Sequence, residues 1–104
     1  MVLKDVLPEL SSELKSLFEK EKKSELAEQV DTLQITDRCR CGDDFCATIY
    51  TVPKPKGAWG TNHYTLPLDP EKGMINVDIL NGKIVEIEIL NRDEIREKVL
   101  KLLP

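Results

Sequence analysis

Every cysteine of the chain lies within eight positions of the stretch "DRCRCGDDFCATIYT" (37–51): Cys39, Cys41 and Cys46. One histidine, His63, follows in the next apolar segment. Three thiols and an imidazole are the ligand types of a tetrahedral zinc site, which favours sulfur and nitrogen donors. A tight turn over "CGDDFC" would bring two thiolates together, Gly42 permits the bend, and His63 would supply the fourth ligand from a neighbouring strand. The spacing argues the other way. C-x-C-x4-C is not the C-x2-C of common zinc knuckles. On a strand, Cys39 and Cys41 would point the same way about 6.6 Å apart.

A redox centre is the second chemistry open to these residues. Cys41 and Cys46 would face one another across a four-residue "GDDF" loop, close enough for a disulfide. Asp43 and Asp44 would raise the thiol pKa while Arg38 and Arg40 would lower it, and the C-x-x-C of thiol oxidoreductases is missing. The third account is structural. Cys46 sits in a core-like run as a small buried hydrophobe, and Asp43 and Asp44 bond the turn backbone. It needs no further ingredient and stands first. Other chemistry is thinner. The sequence has no phosphate loop and no G-x-S-x-G elbow, and the acids Asp43–Asp44 and Glu86/Glu88 read as turn and strand surface.

The elements that must position these residues change period along the chain. Leu3, Leu7, Leu10, Leu14, Leu17 and Phe18 recur at three- and four-residue steps, the stripe of an amphipathic helix beginning near Pro8. Ser24 is expected to cap a second short helix, 25–30, burying Leu26 and Val30. "TLQIT" (32–36) and "FCATIYTV" (45–52) are rich in β-branched and aromatic residues and flank "GDD", which predicts a hairpin. "PKPKGAWGTN" (53–62) reads as a surface loop with Trp59 as its one large apolar group, and "HYTLPL" (63–68) as an edge strand because of Pro67.

"GMINVDILNGKIVEIEIL" (73–90) is a hairpin whose register is a puzzle. A two-residue Asn81-Gly82 turn would set Val77 against Glu86 and Ile75 against Glu88. Paired residues share a face, so a three-residue loop over Leu80–Gly82 is expected instead, pairing Val77 with Val85 and Ile75 with Ile87. A final helix follows, with Asn91 and Glu94 at capping-box spacing, Ile95, Val99 and Leu102 inward, and Glu94–Lys98 and Glu97–Lys101 as surface pairs. The sum is one α+β domain: helical 8–30, an antiparallel sheet of four to five strands over 32–90, and a C-terminal helix 92–103, with the helices on one face.

Composition narrows the function classes. With 104 residues, 40% hydrophobic and 33% charged, the chain suits a single hydrophobic core. A net charge of -4 without a clustered basic face speaks against nucleic acid, and no apolar run reaches a membrane span. Lys4, Asp5 and Glu9 interrupt any signal segment, and an odd cysteine count fits a reducing compartment, so the expected location is the cytoplasm.

Several segments together, "RCRCGDDFCATIYT", "PKGAWG", "NHYTLPL" and "GMINVDILNGKIVEIEILNRDEI", resemble a group of small bacterial proteins of unassigned function that carry a C-x-C-G-D-x-F-C segment. The resemblance covers nearly the whole chain and implies a bacterial cytosolic origin and one compact domain. It implies no activity and no catalytic residues.

From the residues themselves, the first expectation is a non-enzymatic binding or regulatory module without a cofactor. Its contact surface would be Trp59 beside Asp43 and Asp44, and its partner another protein, for example a basic one that it neutralises. The alternative is a zinc- or thiol-dependent protein built on Cys39, Cys41, Cys46 and His63.

Overall fold

The computed structural model describes residues 1–104. The leucine stripe of the first third is split by Pro8. Proline pushes the residue before it out of helical backbone, and Leu7 accordingly sits at φ -134°, ψ 64°. A single turn, α1 (Leu3–Val6), therefore precedes the expected helix α2 (Pro8–Lys20). The short helix α3 spans Ser24–Val30. Ser24 is its first helical residue rather than its cap; Lys23 occupies the cap position with no side-chain capping bond.

Five antiparallel strands follow: β1 (Asp37–Arg38), β2 (Ile49–Tyr50), β3 (His63–Pro67), β4 (Met74–Leu80) and β5 (Lys83–Leu90). They lie side by side in the order β1-β2-β5-β4-β3. The helix α4 (Asp93–Leu102) closes the chain. One cluster of 22 buried apolar residues joins the helices, through Leu3, Leu10, Leu14, Phe18, Val30, Ile95 and Val99, to sheet residues Ile49, Ile75, Val77, Ile87 and Ile89. This is the expected α+β architecture with helices over one face of the sheet. No helix is long and apolar enough to cross a membrane.

The hairpin of residues 32–52 forms, but later than expected. Leu33 and Ile35 are buried, and their backbone pairs with the N-terminal segment: Leu3 N–H donates to Leu33 O at 2.9 Å and Ile35 N–H to Met1 O at 2.8 Å. Strand pairing with β2 therefore begins only at Thr36, whose N–H reaches Tyr50 O at 2.9 Å, and continues to Cys39, whose N–H reaches Thr48 O at 2.9 Å.

The β4–β5 register corrects the three-residue loop. Leu80 pairs with Lys83, so the turn is the two-residue Asn81-Gly82, with φ of 52° and 79° as a type I′ turn demands. The apolar conflict is real and is resolved elsewhere. Ile79 pairs with Ile84 but Asp78 with Glu86, which leaves Val85 as the extra residue of a bulge. Beyond it Val77 meets Ile87 and Ile75 meets Ile89, so the apolar faces coincide. Thr51 fixes the bulge by donating its N–H to Val85 O (3.0 Å) and its hydroxyl to Ile84 O (2.8 Å). Gln29 of α3 clamps the turn, donating to Gly82 O at 2.7 Å and accepting from Ile84 N–H at 3.0 Å.

The capping box of the last helix does not form. Asn91 takes φ 60° and Arg92 becomes the cap residue, with its guanidinium turned inward. There it grips Glu13 of α2 through two bonds of 2.7 and 2.8 Å, and Glu94 at 2.9 Å. Glu94 is thus engaged by Arg92, and Lys98 reaches across to Glu9 at 3.5 Å. This ion-paired junction between first and last thirds of the chain has no signature in local spacing.

Candidate metal centre

The sheet face away from the helices is polar. Along β5, Ile87 and Ile89 point to the core, while Glu86 and Glu88 alternate to the other side. The registers place Tyr50 beside Glu86 and Asp78 on its far side. The cysteines belong to this face. Cys46 pairs with Leu90 in an isolated bridge, two residues beyond Glu88, and Cys39 continues the line of β1.

Here the three sulfurs meet. Sγ of Cys39, Cys41 and Cys46 all lie within 4.8 Å of one another. Cys39 and Cys46 are half-buried and Cys41 is exposed; all three are free thiols. For comparison, tetrahedral zinc at ~2.3 Å from each sulfur needs sulfurs about 3.8 Å apart. A triangle within 4.8 Å has room for that spacing. The strand argument against chelation fails because Cys41 lies in the bend beyond β1, where strict alternation no longer holds.

The surroundings treat the thiols differently. Burial pushes the Cys39 thiol up to about 11 despite the Cys41 N–H that points at its sulfur. Burial also opposes ionisation of Cys46, yet the hydroxyl and N–H of Thr48, with the thiols of Cys41 and Cys39, outweigh it and hold Cys46 below the ordinary thiol value. The Thr48 hydroxyl has one proton and two lone pairs. Its oxygen accepts the Ile89 N–H at 3.2 Å and the Cys46 thiol at 3.4 Å, and once that thiol ionises the hydroxyl proton can turn to the sulfur. Donors of this kind orient metal-binding groups and stabilise their charge. Thr48 was invisible to motif reading, since a threonine in a β-rich run looks like ordinary strand composition.

His63 does not join the cysteines. It begins β3 at the opposite edge, four strand spacings or about 19 Å across the sheet. It also lies at the other end, opposite Leu80, whereas Cys46 is opposite Leu90. Its Nε2 lies 2.8 Å from Asp78 Oδ1, which also accepts the Thr65 hydroxyl at 2.7 Å. Trp59 folds back onto the same face, half-buried, with its indole N–H 3.4 Å from Glu86 Oε1. Asp43 and Asp44 are exposed in the turn between Cys41 and Cys46, followed by a half-exposed Phe45. Of the residues expected at the binding surface, Asp43 and Asp44 lie in the turn between Cys41 and Cys46, and Trp59 lies against Glu86.

The acids on this face are coupled. Burial, then the Asp78 carboxylate directly opposite, push Glu86 above the usual carboxylate range, partly offset by the Trp59 N–H. Burial and the negative charge of Glu86, Cys39 and Cys46 push the Tyr50 hydroxyl up to about 12. Comparison with known proteins returned no matching family model, no matching curated protein and no matching solved structure.

Proposed function

We propose that this chain is a binding protein for a thiophilic metal ion, with Cys39, Cys41 and Cys46 as its ligands and zinc as the first ion to test. The observation that carries the reading is the convergence of three sulfurs within 4.8 Å, with Thr48 hydrogen-bonded to one of them. Metal replaces thiol protons, so binding releases protons and weakens in acid. His63 has no part in this reading, because it is held by Asp78 on the far edge of the sheet. The test is elemental analysis of protein purified without a metal column, with thiol titration on the same sample. One metal per chain and no titratable thiol supports the reading; three reactive thiols after zinc addition refutes it.

A second reading keeps the turn as a docking point for a basic protein partner. It is favoured by the exposure of Asp43, Asp44 and the 44% exposed Phe45 in consecutive positions between Cys41 and Cys46. Its expected mark is capture of a partner that is lost on Phe45→Ala while metal content is unchanged. Trp59→Ala would have little effect on capture in this reading, since the indole faces the sheet.

A further inference from the structure

We propose, building on the metal-binding reading, that the Cys39–Cys41–Cys46 site is a three-coordinate site that takes copper(I) with sulfur as its only donor. The donor set supports this. The groups that meet are three thiols, and soft thiolates select copper(I) as well as zinc. Zinc prefers four ligands, and with three protein donors it keeps a water or an outside group in the fourth position. Copper(I) is monovalent with a filled d shell, and three thiolates complete its shell.

The polar side chain bonded to a sulfur is committed, and no carboxylate oxygen joins the sulfur group. The Thr48 oxygen accepts both the Ile89 N–H and the Cys46 thiol, and once that thiol ionises the hydroxyl proton can turn to the sulfur, so it serves the sulfur rather than the ion. The sole imidazole, which would complete a tetrahedron, is bonded to Asp78 at the opposite edge. At a metal–sulfur distance of ~2.3 Å, a planar trio has sulfurs about 4.0 Å apart and a tetrahedron about 3.8 Å, and a triangle within 4.8 Å has room for either. Each thiol that binds gives up its proton to solvent: three S–H bonds break, three metal–sulfur bonds form, and no oxidation state changes.

The experiment uses the full chain, reduced and anaerobic, titrated with copper(I) supplied as its acetonitrile complex. The readouts are thiol titration and X-ray absorption at the copper edge, with the zinc-loaded protein measured in parallel. The expected result is one copper per chain, three sulfur neighbours without a nitrogen or oxygen neighbour, and no titratable thiol. The zinc form should show three sulfurs and one lighter atom. His63→Ala should leave the copper shell unchanged, while Cys41→Ser, an exposed position, should drop it to two sulfurs. Two sulfurs with one free thiol in the wild type, or a light-atom neighbour to copper, would overturn the three-coordinate assignment while zinc binding survives. If neither ion protects the thiols, the metal reading falls and takes this one with it.

Discussion

Thr48 Oγ1 stands 3.4 Å from Cys46 Sγ while accepting the Ile89 amide at 3.2 Å, so a single hydroxyl ties the sulfur site to the central strand of the sheet. Thr48→Val keeps the shape and removes both bonds. The Cys46 thiol should then ionise at higher pH, since the donors that offset its burial are weakened. Rates of alkylation at Cys46 followed by mass spectrometry across pH should shift upward. The unpaired Ile89 N–H should cost about 1–3 kcal/mol in urea unfolding. An unchanged alkylation profile would show that Thr48 only packs.

Metal and fold stability should separate at Cys41. The residue is exposed, so Cys41→Ser should change the stability of metal-free protein by less than about 0.5 kcal/mol. Wild-type protein should gain about 4 kcal/mol in zinc at a thousandfold excess over its dissociation constant. The variant should gain little. Thermal melts with zinc and with chelator read both quantities, and equal gains in the two proteins would remove Cys41 from the site.

Arg92 is the strongest ionic anchor of the fold. Its guanidinium is buried, Glu13 holds it at 2.7 Å, and its pKa is driven further upward by that bond. Arg92→Met should leave the Glu13 carboxylate without its partner and cost about 2–3 kcal/mol, less than a fully buried pair because Glu13 keeps some water contact. Gly73→Ala should damage the same corner. A β-carbon there would stand 2.5 Å from Leu90 O, at φ 71°. Urea midpoints of the two single variants and the double variant should show less than additive loss.

The acidic face gives a pH dependence of definite sign. Burial and Asp78 raise Glu86 in the folded protein, so between the ordinary carboxylate value of 4.5 and the raised one the folded state holds more proton than the unfolded. Stability therefore falls as pH rises through that interval, and the loss persists above it. Glu86→Gln should stabilise the protein at pH 7 by less than ~1.4 kcal/mol and have no such benefit near pH 4. A gain of equal size at both pH values would point to packing instead of charge.

The β4–β5 hairpin shows how far a sequence reading reaches. Alternation of Ile75, Val77, Ile79 with Asn76, Asp78 established the strand and its buried face, and it exposed the clash that a plain two-residue turn would make. It did not say where the extra residue goes. That depended on Asn81-Gly82 being so well suited to a type I′ turn, and on Gln29 and Thr51 reaching in from other elements to hold the turn and the bulge.

The sequence by itself determined the kinds of element, the α+β class, the core stripe of leucines and isoleucines, and the one segment where sulfur chemistry is possible. Those properties follow from local periodicity and turn chemistry, which act over a few residues. Only the tertiary structure decided that three sulfurs converge while His63 stays at the opposite edge, that Trp59 lies over Glu86, and that Arg92 joins Glu13 across 79 positions. The physical reason is that distances between remote segments are set by strand order and register. These follow from the packing of the whole core, which no short stretch of the chain contains.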